Sequence, residues 1–386
     1  MTENVVPEEP SPIAGMFIVA RHLSKILRRG AWPAVGCFAL AGASHCAAPA
    51  EGTQLLRLSV SGGRLQAYIA PAHGADLAGL EVRHGGRWSE LLYRGMNYQP
   101  TGGWTGKAPI LWPAVGRNFP YPPGGGGHGD RLGWVLRGRV HAMPIHGFAR
   151  DQAWRILRRG SCGGSAFLIL GLSNTDRTRG MYPFGFTLTT EYRIWQDSLY
   201  IRQAVHAPRA NAGPMPFSIG NHITFAIPLL AGDDPLQTTI STPATEQVMT
   251  DGSGRPTGRI VAVSYVRPRL LSSFKPLTPI SLSGYAAGQE WVRLEDRSGF
   301  GIIVSHSEDR QPSGTPVLFN LCGDVTQGYF APEPWVGKQD SLVTGDGTIA
   351  LQPGGTFHWT IEVRLAAEAT ASTVSGADAS APTCLQ

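Results

Sequence analysis

The stretch Leu56-Arg-Leu-Ser-Val-Ser-Gly-Gly-Arg-Leu-Gln-Ala-Tyr-Ile69 decides the fold class. Leu56, Leu58 and Val60 alternate with polar residues, Gly62-Gly63 breaks the run, and Leu65, Ala67 and Ile69 resume the period of two, the pattern of two strands joined by a tight turn. Working outward, residues 77–82 and 88–93 repeat the pattern around Gly85-Gly86, so the domain opens with a meander of short strands. Further strands are predicted at 166–172, 186–195, 198–206, 290–295, 301–305 and 356–365. The 49 glycines and 30 prolines fall between such runs and leave little room for long helices, so an all-β protein is expected.

Hydrophobic residues make up 42% of the 386 and charged residues 16%, enough apolar material for one large core or two modest ones and unlike a disordered chain. The formal net charge of +5 is small, and the basic residues form only short groups such as Arg158-Arg159 and Arg267 to Arg269. Those groups read as solvated surface, so no nucleic-acid partner is expected. At the N-terminus Arg21, Lys25, Arg28 and Arg29 precede an apolar stretch at 31–43 and small residues at Ala47-Ala48. This reads as a bacterial secretory signal cleaved near 46–50, with Met16 as a second possible start. A processed, periplasmic protein without stable membrane insertion is expected, because the apolar stretch is short for a spanning helix. The division is then 1–50 as export segment, 51–366 as one β domain and 367–386 as a disordered tail rich in Ala, Ser and Thr. Five scattered cysteines form no C-x-x-C pair, so neither a zinc site nor a particular disulfide is assigned. Gly124, Gly126 and Gly129 match G-x-G-x-x-G, but no strand leads into them and no helix follows, so they make no dinucleotide site.

Four segments join a polar residue to backbone-restricting neighbours. They are Ala108-Pro-Ile-Leu-Trp-Pro-Ala-Val-Gly-Arg117, His146-Gly-Phe-Ala-Arg150, Met215-Pro-Phe-Ser-Ile-Gly-Asn-His-Ile-Thr-Phe225 and Ala331-Pro-Glu-Pro-Trp-Val-Gly337. Singly, His146 reads as a turn residue, His222 as a core histidine, Arg117 as a surface charge and Glu333 as a capping carboxylate. In this order, however, P-x-L-x-P-x-x-G-R, H-G-F-A-R, G-x-H-x-x-F and E-P-W-x-G resemble the aldose 1-epimerase, or mutarotase, family. The resemblance implies a very large antiparallel β-sandwich, of the galactose mutarotase-like kind, with a sugar cleft on one sheet. It implies Glu333 as general base, His222 as general acid, and Arg117 and His146 as sugar-binding residues. Ile223 stands where the family usually carries proline, and no match is found for the aspartate that holds a sugar hydroxyl in galactose mutarotases, so the sugar is left open.

Mutarotation needs a group that takes the anomeric proton and one that protonates the ring oxygen. A carboxylate of pKa ~4.3 and an imidazole of pKa ~6.5 can serve, the imidazole charged near neutrality when a carboxylate is close. Neither metal nor organic cofactor is required; the partner is a small sugar. Trp104, Trp112, Tyr182, Phe225 and Trp335 are candidates to offer flat faces to sugar C–H groups, Trp112 and Phe225 being as readily core residues. A hexose-phosphate epimerase would need Arg or Lys around the cleft mouth, where the motifs supply only Arg117 and Arg150. A binding protein without turnover is the other alternative, and a lyase or hydrolase on a similar sandwich has no motif here.

Overall fold

In a computed structural model, residues 54–97, 105–121 and 131–366 are described; the export segment, the 367–386 tail, Trp104 and most of the Pro/Gly loop at 120–129 lie outside them. The opening meander is a four-stranded antiparallel sheet of Leu56–Ser59, Leu65–Ala70, Asp76–His84 and Arg87–Glu90. Its last strand stops short of the expected residue 93 because Glu90 turns inward. The Glu90 carboxylate accepts from the backbone N–H groups of Leu80 at 2.9 Å and Leu92 at 2.8 Å, and burial pushes it up to about 7.

A nine-stranded antiparallel sheet follows the order Tyr265–Leu270, Thr239–Thr242, Trp291–Glu295, Gly301–Glu308, Thr356–Leu365, Ser198–His206, Thr187–Trp195, Ser165–Ser173 and Arg155–Cys162. Its two edge strands carry the short basic groups noted above. Arg155, Arg158 and Arg159 at one edge, and Arg267, Pro268 and Arg269 at the other, are exposed, where charge and proline discourage pairing with another chain. Cys322 is a free thiol.

The third large sheet runs Pro256–Ala262, Glu246–Thr250, Ile280–Ser283, Val317–Asp324, Tyr329–Gly337, Ile219–Asn221 and Ile110–Leu111, with Phe225–Ala226 also paired to Tyr329–Gly337. Leu282, Phe319, Leu321, Phe330 and Val336 from this sheet and Leu188, Ile194, Leu199, Ile201 and Val205 from the nine-stranded one belong to a single apolar core, which packs the two sheets face to face in an antiparallel β-sandwich. The alternation that sends Phe319 and Leu321 inward turns Asn320 to the opposite face. There a small separate cluster forms from Leu111, Val115, Val248, Val317 and Trp335. Among the described residues no helix is long and apolar enough to cross a membrane.

Candidate active site

One interruption in strand pairing creates the site. Residues 219–220 pair with Val336 and Trp335, and Phe225 and Ala226 pair with Phe330 and Tyr329. Between these contacts the chain turns aside: His222 N–H donates to Pro109 O at 3.0 Å and Thr224 N–H to Lys107 O at 2.8 Å. Pro332 and Pro334 occupy the facing stretch, and their missing N–H groups cost nothing on a side where no partner strand runs. Glu333, between the prolines, thus faces His222, with Glu333 Oε1 3.7 Å from His222 Nε2.

Hydrogen bonds fix which nitrogen of each imidazole is reactive. The Thr224 hydroxyl donates to His222 O at 3.0 Å, so its oxygen accepts from His222 Nδ1 at 3.2 Å; Nε2, facing Glu333, is the nitrogen that gains or loses a proton. His146 lies across the site, its ring centroid 5.4 Å from that of His222. Gly116 N–H donates to His146 Nδ1 at 3.1 Å, and His146 N–H returns to Gly116 O at 2.8 Å, so neutral His146 carries its proton on Nε2 as a donor. The Gly-Arg and His-Gly motifs, thirty residues apart, are therefore tied directly to each other. His146 and Gly147 have φ values of 67° and 71°. A Cβ on Gly147 would lie 2.1 Å from Trp112 O, the carbonyl that accepts from both Phe148 and Ala149 N–H, so only glycine fits there.

Glu333 is 1% exposed and is held at both oxygens. Asn320 Nδ2 donates to Oε1 at 3.0 Å and the Trp335 indole N–H to Oε2 at 3.2 Å, while Ser281 Oγ donates to Asn320 Oδ1 at 3.0 Å. Neither Asn320 nor Ser281 was singled out by sequence. The available signal was an asparagine interrupting the apolar run Val317-Leu-Phe-Asn-Leu321, a polar residue that strand alternation leaves needing a partner.

Trp335 and Phe225 depart from the sugar-facing expectation. Trp335 is 3% exposed, packed in the small cluster and committed to Glu333; it lies over Gly220, where a Cβ would come 2.7 Å from its ring. Phe225 is fully buried in the main core, as are Trp112 and Tyr182. Arg117 is exposed, its backbone tied to Gln339 and Asp340, and its charge and that of Arg150 bear on His146.

The charges also differ from expectation. Burial takes Glu333 up to about 8, against the donors Asn320 and Trp335. Burial takes His222 down to about 4, its own carbonyl bond opposing and Arg150 adding to the fall. Burial holds His146 well below the usual histidine range, with His222, Arg150 and Arg117 pushing the same way. Burial thus pushes both groups toward their neutral forms, carboxylic acid beside neutral imidazole, against the attraction that their 3.7 Å separation gives the ionic form. The carboxylate–imidazolium form holds the same number of protons and differs only in which partner has the shared one.

His146, His222 and Glu333 offer ligand atoms within 4.8 Å of one another, a spacing compatible with a metal ion. The chemistry of the set does not fit: neutral His146 has its one lone pair at Nδ1, already accepting from Gly116, and its Nε2 is protonated.

The aldose 1-epimerase family profile matches residues 69–285, a span holding Arg117, His146 and His222 and ending before Glu333. Similar solved structures include a protein of Synechocystis sp. PCC 6803, 22% identical with TM-score 0.64 over 82% of this chain and 96% of that one. A galactose mutarotase related enzyme from Lactobacillus acidophilus is 18% identical, TM-score 0.64, over 82% and 98%. A galactose 1-epimerase from Lactobacillus acidophilus NCFM is 15% identical, TM-score 0.58, over 81% and 94%. At these identities the likeness is one of fold. No curated protein matches the sequence.

Proposed function

Because this chain belongs to the aldose 1-epimerase family, we propose that it interconverts the α and β anomers of a free aldose, with Glu333 and His222 moving the protons. The observation that carries this is the buried Glu333 Oε1–His222 Nε2 pair at 3.7 Å, each partner held by further hydrogen bonds so that its reactive atom faces the other. In the carboxylate–imidazolium form Glu333 takes the anomeric O1–H proton, His222 protonates O5, and the C1–O5 bond breaks to leave an aldehyde and a hydroxyl. Rotation about C1–C2 and the reverse transfers close the other anomer.

The step leaves Glu333 protonated and His222 neutral, the same charge state that burial favours in the sugar-free protein. Sugar hydroxyls replacing lost water around the pair would lower the cost of the ionic form. Ring opening therefore begins with a proton passing from Glu333 to His222, and no proton need be exchanged with solvent. His146 Nε2–H and the Arg117 guanidinium are the proposed donors to sugar hydroxyls.

An exported, periplasmic site of action is part of this proposal, supported by the basic residues Arg21 to Arg29 followed by the apolar stretch at 31–43. Arg150 and Arg117, whose charges both reach His146, also favour a second reading, a sugar bearing an anionic group. Polarimetry of freshly dissolved α-glucose, α-galactose and glucose 6-phosphate tests both. The expected result is equilibration faster than buffer for at least one free aldose; acceleration of the phosphate alone supports the second reading, and none at all indicates binding without turnover.

A further inference from the structure

We infer that Asn320, braced by Ser281, is a positioning residue that holds the proton-exchanging oxygen of Glu333 in its accepting form. This rests on the acid–base reading above and deepens it.

The register pairs Val248 with Ser281, Ser281 with Asn320 and Asn320 with Glu333, so four side chains stand in one row across four strands. The three polar members form one chain of donors: Ser281 Oγ to Asn320 Oδ1, then Asn320 Nδ2 to Glu333 Oε1, each at 3.0 Å. All are nearly dry, Ser281 at 8% and Asn320 at 6% exposed, so no bulk water stands ready to replace a lost bond.

The two donors on Glu333 do different work. Trp335, wedged over Gly220 in the small apolar cluster, fixes Oε2. Asn320 acts on Oε1, the oxygen that looks toward His222 Nε2. An N–H pointed at that oxygen favours the carboxylate over the acid and so opposes burial, whereas an amide turned to present its carbonyl would favour the acid. With Ser281 occupying Oδ1, the Asn320 amide keeps Nδ2 for Glu333. Without this brace the ionic form needed for ring opening becomes rarer still.

The test compares wild type, Asn320→Leu and Ser281→Ala in two ways: the Glu333 carboxyl titration followed by ¹³C NMR in sugar-free protein, and the pH profile of mutarotation. Asn320→Leu should raise the carboxyl titration by about one pH unit, the effect of one hydrogen bond to a charged acceptor. The alkaline limb of the profile should move up with it, and kcat at neutral pH should fall about tenfold with KM unchanged. Ser281→Ala should move the titration the same way by less. If Asn320→Leu does not fold, Ser281→Ala decides alone. A titration that moves as expected supports the inference even if wild type fails to turn over any sugar. An unmoved titration in the folded variant overturns it even if wild type is an active mutarotase.

Discussion

Replacing Glu333 by glutamine lowers kcat for mutarotation by roughly 10²–10⁴-fold, the usual contribution of a positioned acid or base, while the protein remains folded. The variant keeps the volume of the side chain and an oxygen for Asn320, but it cannot accept the anomeric proton. Sugar binding should largely survive, since the donors at His146 and Arg117 are untouched, so the loss appears in kcat with little change in KM. Stability supplies an independent check. A carboxyl whose folded pKa is raised favours folding fully below its unfolded value of ~4.3 and loses that contribution as pH rises toward the folded one. With Glu333 pushed up to about 8, wild type should lose stability between roughly pH 4 and pH 8 relative to the glutamine variant. Parallel melting temperatures across that window would mean the carboxyl is not buried as described, and near-normal turnover in the variant would reduce Glu333 to a structural carboxylate.

Replacing His222 by asparagine has an effect of the same size, roughly 10²–10⁴-fold in kcat, for a different reason. The asparagine amide can still reach toward Thr224 but has no group that alternates between proton donor and acceptor at the position of Nε2. Ring opening then lacks its donor to O5, and the shared proton has no place to go from Glu333. Stopped-flow polarimetry of the folded variant measures this directly. Activity within about threefold of wild type, far short of the expected loss, would assign the transfer to another group, His146 being the nearest.

The two variants bear on parts of the site that the sequence reveals to different degrees. The Leu56–Ser59 and Leu65–Ala70 hairpin is legible because its alternation and turn are local. The same holds for Ser198–His206 and Thr356–Leu365, which bury every second residue. Tyr329–Gly337 is hidden by Pro332 and Pro334, whose tolerance depends on the pairing gap opposite them, a fact of tertiary structure. Arg155–Cys162 is hidden because an exposed edge strand buries neither face and so has no period to read.

His146, His222 and Glu333 come together as their ordered motifs imply. Asn320 meets Glu333 across the short 325–328 connection, but neither strand alternates visibly enough for its register to be read, and Ser281 comes from a strand more than thirty residues upstream. The direction of the charge shifts is hidden for a related reason: reference pKa values describe solvated groups, and the dryness that pushes Glu333 up and His222 down comes from packing across the whole sheet.

The pH dependence of wild-type mutarotation tests the shared-proton pair most directly. Only the form with one mobile proton on Glu333 and His222 can work: a second proton is gained below about 4 and the last is lost above about 8. These limbs belong to the pair as a unit. The predicted result is a bell in kcat/KM with limbs near those two values, the acid limb absent in His222→Asn residual activity. A profile with a limb near the ordinary histidine value of ~6.5 and activity persisting well above pH ~8 would contradict it, since that is the behaviour of an ionised Glu333 beside a solvated imidazole.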